Sequence, residues 1–199
     1  MEFKELLMSR YATKKFDGNV IDDGKIDQLF EMIRYAPSAL NLQPWKVKVV
    51  TDVETKNKLS AASMEQAQIN SCSHLLVFCA DTNLNEKAEK ITQLMEKVGV
   101  PDENHKQFQD VMNIFLSNYD NKTGITEAQY NVFIAAITAI YAAKSLGIDS
   151  CPMQGFSAEA YSEILDIPQS IIPTILVPIG YPADKQMPKL RFEKEEIFF

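Results

Sequence analysis

Arg10 and Lys14 stand one helical turn apart in a chain of net charge −7. Two cations at that spacing can grip a phosphate, or simply form the solvated basic end of a helix. More cations, Lys185, Lys189, Arg191 and Lys194, gather in the last stretch of the chain, which has little periodicity. Two irregular segments lie between these basic clusters. Pro37 to Trp45, PSALNLQPW, sets small hydroxyl and amide groups between two prolines, and Asp149 to Phe156, DSCPMQGF, brings a proline and a glycine into a tight loop. The seven glycines form neither GxGxxG nor GxxxxGKS, so side chains must hold any phosphate here. Cys72, Cys79 and Cys151 are odd in number with no CxxC, and His74 and His105 are the only histidines. That count supports neither a disulfide framework nor a zinc site, and it points to a reducing compartment.

The elements that must position these residues are legible from periodicity and caps. Phe3, Leu6 and Leu7 share a face of a short helix running into Arg10–Lys15. Asp22 or Asp23 can cap a second helix carrying Ile26, Leu29, Phe30 and Ile33, which must end by Ala36 because Pro37 follows. Lys46 to Thr51 reads as a strand, Thr51 with Glu54 as a capping box for a helix to about Ala62, and Leu75 to Ala80 as a strand covered on both faces. Helices are therefore expected on both sides of the sheet. Two amphipathic helices with a break at Gly99 to Pro101 form a peripheral excursion at about 83–119, joined onward by a turn at Asn121 to Gly124.

The organising element is Thr126 to Gly147. It opens on a Thr126–Gln129 capping box and is apolar all round from Val132 to Ala143 apart from Thr138 and Tyr141, so every face should meet protein. It is too short to span a bilayer, which takes about 20 apolar residues. Its alanines suit close backbone approach in a core or at a subunit interface. Ser157 can cap a further helix ended by Pro168, and Ile171 to Gly180 reads as a strand whose prolines fall where no ladder N–H is required. The tail, about 182–199, ends in Ile197, Phe198 and Phe199, which must dock on something. Trp45 is expected as a core anchor, the three cysteines as packing residues, and Phe108, Phe115 and Tyr119 as either core or lining of a substrate entrance.

With 199 residues and 46% hydrophobic composition the chain can form one domain, 1–199, with a sizeable core. The acidic balance argues against nucleic acid or an anionic membrane as partner. The first residues lack the apolar run of a signal peptide, so a cytoplasmic protein is expected.

RYATK, PSALNLQPW, CPMQGF, IPTILVPIGYP and MPKLR, in this order and at these spacings, resemble the nitroreductase family over nearly the whole chain. The resemblance implies an α+β, three-layer fold: a mostly antiparallel sheet flanked by helices, a long buried central helix and an intertwined homodimer with two flavin sites between subunits. It implies FMN as cofactor, NADH or NADPH as electron donor and a small-molecule acceptor such as a nitroaromatic or quinone, reduced by ping-pong hydride transfer through flavin N5. The flavin would carry the chemistry, so no catalytic side chain is expected. Arg10, Lys189 and Arg191 match the family positions that hold the FMN phosphate, and Lys14 the one near the ribityl chain and the N1/O2 edge. Ser38 and Asn41 match positions reaching the flavin from the partner, and Pro152, Met153, Gln154 and Gly155 match the loop at N5 and O4. Tyr11, Ala12, Pro37, Ala39 and Gln68 complete the set. Ala12 stands where many relatives have serine, and Gln68 where some have lysine, which bears on redox potential. Dehalogenation, ene reduction, flavin fragmentation, or flavin binding without turnover remain open alternatives on the same fold.

Overall fold

In the computed structural model, which describes residues 2–199, the chain is built on a four-stranded antiparallel sheet. The strands are β1 (Trp45–Val50), β2 (His74–Asp81), β3 (Asp149–Ser150) and β4 (Ile171–Gly180), in the order β1-β2-β4-β3. All eight residues of β2 are buried, so period-two alternation sends successive side chains into two different cores. Leu76, Phe78 and Ala80 join one core; Leu75, Val77 and Cys79 join the other.

The first core is closed by α2 (Asp23–Arg34) and by the long α7 (Asn121–Ser145). The second is closed by α3 (Val53–Ala61), the short α4 (Ala67–Ser71) and α8 (Ala158–Ile164). Helices thus flank both faces, as the α+β expectation requires. Strand β4 changes face midway. Ile172 packs on the first core, yet so do Ile175, Val177 and Ile179, while Ile171 and Leu176 face the second. The register break opposite Phe78/Cys79 explains this, because pairing steps from Ile175 to Pro173 and leaves Thr174 as an extra residue that inverts the alternation. Pro173 sits at that break, and Pro178 uses its carbonyl, accepting from the Cys151 N–H. Pro173 thus lies where the ladder is interrupted, whereas Pro178 sits at a paired position opposite Cys151 and contributes its carbonyl alone.

Several boundaries differ from expectation. Helix α7 starts earlier, at Asn121. Its cap is Asp120, which accepts from the Thr123 N–H at 2.7 Å while Thr123 Oγ1 accepts from the Asp120 N–H. Thr126 instead lies inside the helix and donates to the Lys122 carbonyl, and the expected turn at Asn121 to Gly124 is the first helical turn. Asp52, rather than Thr51, caps α3 through the Thr55 N–H. Of α1 (Phe3–Ser9) only Leu6 is buried. Nor is α7 covered all round: Ala128, Val132, Ala135, Ala136, Ala139 and Ala143 are buried, but Tyr130, Ile134 and Ile137 are 64%, 37% and 42% exposed.

The excursion is formed by α5 (Leu84–Lys97) and α6 (Asp102–Ser117). Phe108 and Phe115 pack with Ala88 and Met112 against Leu40 and Leu42 of the PSALNLQPW segment. Trp45 packs against the main core. The last helix, α9 (Lys194–Ile197), has no buried residue.

The two ends of the chain are joined where Phe16 meets the end of β4. Phe16 is 2% exposed, its N–H donates to Ser71 Oγ, and it bridges to Pro182. Its ring lies so close to Gly180 that a Cβ there would come within 2.8 Å of Phe16 Cδ1 and 3.2 Å of Phe16 Cβ. Gly180→Ala is therefore expected to lower stability by about 1–3 kcal/mol through overpacking, read as a lower midpoint in thermal or urea unfolding. An unchanged midpoint would mean that Phe16 moves freely.

Candidate functional site

A cavity of about 380 Å³ opens between residues 10–14 and residues 184–191. Arg10 and Lys14 contribute from one side, Lys185, Lys189 and Arg191 from the other. The two segments run against each other as an antiparallel zipper. Phe16 pairs with Pro182, the Ala183 N–H donates to the Lys15 carbonyl, Gln186 Nε2 donates to the Met8 carbonyl, and Lys189 Nζ donates to the Arg10 carbonyl. Asp184 lies at the centre. Its carboxylate accepts from the Lys14 N–H at 2.7 Å and from the Tyr11 hydroxyl at 2.9 Å. Burial first, then the bond to Asp184, holds the Tyr11 phenol above its ordinary pKa, so it stays a neutral donor.

The field in this cavity is positive. Partial burial, then the charges of Arg10, Arg191 and Lys144, depress the Lys189 ammonium below its ordinary pKa. Like charges crowded this way are relieved by a bound anion. Lys144, near the end of α7, is paired with Asp149 at 2.8 Å. Residue 12 is fixed from behind by a bridge to Ser150, and the Thr13 N–H donates to the Ser150 carbonyl. The N-terminal segment is thereby held both to the sheet and to the tail.

Lys14 Nζ donates to Cys151 Sγ at 3.6 Å, and Gln68 Nε2 approaches the same sulfur at 3.9 Å. Burial nevertheless pushes the Cys151 thiol above its ordinary pKa, outweighing Lys14. It remains a thiol, in keeping with a packing role. Gln68 itself is 4% exposed and also donates to Gln66 Oε1.

The CPMQGF loop follows directly. Pro152 and Gln154 are exposed and Met153 is buried. Met153 commits both its N–H and its carbonyl to Leu176 of β4. Since proline has no N–H and the Met153 N–H is used, Gln154 and Gly155 are the loop's candidates for backbone donors to a ligand. Gly155 is held by Gln66 Nε2, just before α4, which donates to its carbonyl at 3.1 Å, and a Cβ on Gly155 would meet Met64 Cε at 2.6 Å.

Pro37, Ser38, Ala39 and Asn41, like Gln68 and Pro152 to Gly155, do not line this cavity. Their segment is anchored on α7, where buried Asn131 Oδ1 accepts from the Ala39 N–H at 2.8 Å. Ser38 Oγ accepts from the Gln43 N–H, and Asn41 Oδ1 from Gln43 Nε2. Leu40, Asn41 and Gln43 all have left-handed backbone, with φ of 47°, 55° and 47°, at a cost of order 1–3 kcal/mol each. Such strain is held by the Asn131 bond and by Leu40 and Leu42 packed under the excursion.

Sequence reasoning missed Asp184, Gln66 and Asn131. Only Asp184 carried a signal, as the one acidic residue between Gly180 and Phe192. The other two are ordinary amides whose roles appear once their partners are placed.

Comparison with known proteins meets this geometry. Residues 7–181 match the nitroreductase family. The chain is 31% identical over 183 residues to "Putative NAD(P)H nitroreductase MhqN" of Bacillus subtilis, covering 90% of this chain and 88% of that protein. It is 26% identical to the NADH dehydrogenase of Thermus thermophilus, covering 99% and 95%. The crystal structure of a putative NAD(P)H:FMN oxidoreductase from Staphylococcus epidermidis superposes with a TM-score of 0.90 at 26% identity, over 98% of this chain and 94% of that one. The family match spans both core layers, the buried helix and the residue 10–14 side of the cationic cavity, so the chain belongs to the nitroreductase family.

Proposed function

We propose that the chain is an FMN-dependent oxidoreductase that uses NADH or NADPH to reduce small-molecule electron acceptors such as nitroaromatics or quinones. The observation that carries this reading is the convergence of Arg10, Lys14, Lys189 and Arg191, from opposite ends of an acidic chain, on one cavity. The donor set fits a phosphate dianion: several cations face the space, and the carboxylate among them is occupied by the Lys14 N–H and the Tyr11 hydroxyl. The relatives' names point the same way.

FMN, when bound, supplies the two-electron chemistry, taking a hydride from the nicotinamide and returning it to the acceptor. The protein's own part is to bind and orient. Arg10, Lys189 and Arg191 hold the phosphate. Lys14, braced on Cys151, places its charge toward the ribityl chain and the N1/O2 edge. Gln154 and Gly155 offer N–H dipoles to the N5/O4 edge without a titrating side chain, so little reorganisation accompanies charge movement. Ser38 and Asn41, on their strained segment, reach the ring across a homodimer interface. Donor and acceptor would bind in turn, giving ping-pong kinetics.

Because the loop acts through its backbone, Gln154→Ala is expected to slow flavin reduction by less than about tenfold, or about 1.4 kcal/mol of barrier. Stopped-flow reduction of the FMN-loaded variant checks this. The reading as a whole is tested by anaerobic addition of NADH or NADPH to the purified yellow protein. Bleaching followed by recovery on adding a quinone or nitroaromatic is expected, and a flavin that neither nicotinamide bleaches would reject it in favour of flavin binding without turnover.

A further inference from the structure

The centre of the zipper is a carboxylate in a cavity whose other charged lining residues are all cations. Beside a bound phosphate, Asp184 is electrostatically unfavourable. Its two oxygens are directed elsewhere: one accepts from the Lys14 N–H at 2.7 Å, the other from the Tyr11 hydroxyl at 2.9 Å, and the Asp184 carbonyl accepts from that hydroxyl at 3.1 Å. These partners lie 170 and 173 positions away in sequence. Tyr11 directly follows Arg10, Lys14 bears the second cation, and Lys189 and Arg191 follow Asp184 on the tail.

We infer that Asp184 is a positioning residue for the flavin phosphate, one that fixes the register of the tail against the N-terminal segment so that Lys189 and Arg191 face Arg10 and Lys14 across one anion-sized gap. The inference rests on the FMN reading above. What Asp184 contributes is two accepted hydrogen bonds rather than its charge. Without them the tail still has the Phe16–Pro182 bridge, the Tyr11 bond to the Asp184 carbonyl and the bonds from the Ala183 N–H, Gln186 Nε2 and Lys189 Nζ, and the last of these comes from a cation that must also serve the ligand. Four like charges brought together without an anion repel one another, so flavin-free protein would open this contact most readily.

Asparagine can keep the geometry without the charge. Its oxygen accepts from the Lys14 N–H, and its amide donates to the Tyr11 hydroxyl. Alanine can do neither. The test is the affinity of full-length wild type, Asp184→Ala and Asp184→Asn for FMN and for riboflavin, which lacks the phosphate. Asp184→Ala is expected to weaken FMN binding by about tenfold or more, the effect of misplacing charge-assisted bonds. Riboflavin affinity should stay within about threefold, and Asp184→Asn should bind FMN nearly as wild type does. Backbone amides of residues 185–191 in the flavin-free protein should exchange faster in Asp184→Ala and normally in Asp184→Asn.

Equal loss of FMN and riboflavin would overturn the inference in favour of a general role in the fold. Asp184→Asn as damaging as Asp184→Ala would show that charge matters and not the bonds. Unchanged or tighter FMN binding in Asp184→Ala would show that the zipper holds without it. Wild type binding FMN no better than riboflavin would instead remove the phosphate assignment, and that failure is visible before any substitution is made.

Discussion

Lys189→Ala and Arg191→Ala are each expected to release FMN at least about tenfold more readily than wild type, because each removes a charge-assisted bond of about 1.5–3 kcal/mol to the phosphate. Of the two, Lys189 should show the smaller net loss. Its ammonium already donates to the Arg10 carbonyl and is depressed by partial burial and by Arg10, Arg191 and Lys144, so its removal also relieves repulsion. Arg191 is exposed and donates to the neighbouring Leu190 carbonyl at 2.6 Å, leaving most of its guanidinium for a ligand. Retained FMN is measured by ultrafiltration at rising salt. Because the contacts are ionic, the wild-type affinity should fall with salt and the Arg191→Ala affinity should fall less steeply. Unchanged retention in both variants would remove the phosphate from this cavity.

A second large effect is expected at the outer face of α7. Tyr130, Ile134 and Ile137 recur at helical spacing and remain exposed on a helix whose opposite face is core, while Phe192, Phe198 and Phe199 of the tail are exposed. Large apolar surface of this kind marks an association site, and the homodimer we propose would cover it. Ile137→Asp should place a charge in that interface, at a cost of about 2–5 kcal/mol, and yield protein that neither dimerises nor keeps FMN. Equilibrium sedimentation gives the mass and the flavin absorbance gives the occupancy. A compact Ile137→Asp monomer that holds FMN as wild type does would contradict both the interface and the placing of the site across it.

How far the sequence carried the account depended on the range of the interaction that decided each feature. Strand β4 from Ile171 to Gly180, the Ser157 cap, the pair α5 and α6 and the flanking of the sheet by helices were all legible, since periodicity, caps and breakers act within a few residues. Two local signals competed at the start of α7. Thr126–Gln129 and Asp120–Thr123 both offer reciprocal caps, and the earlier one prevails where Gly124 lies against Leu84 and Tyr119, so that the helix gains packing by extending. The Thr174 bulge could not be seen, because it is defined only by the pairing of β4 with β2. Likewise, the loss of the Met153 N–H to Leu176 could not be read from the sequence. The cations of the site were found by their resemblance to a family pattern, whereas Asp184 acts through partners at the other end of the chain and follows no local rule.

The central claim is that residues 10–14 and 184–191 form the phosphate end of a flavin site. A crystal structure of the FMN-loaded protein tests it most directly. The account predicts the phosphate within hydrogen-bond distance of Arg10, Lys189 and Arg191, with the ring edge beside Gln154 and Gly155. A phosphate bound anywhere else, with this cationic cavity left to solvent, would contradict it.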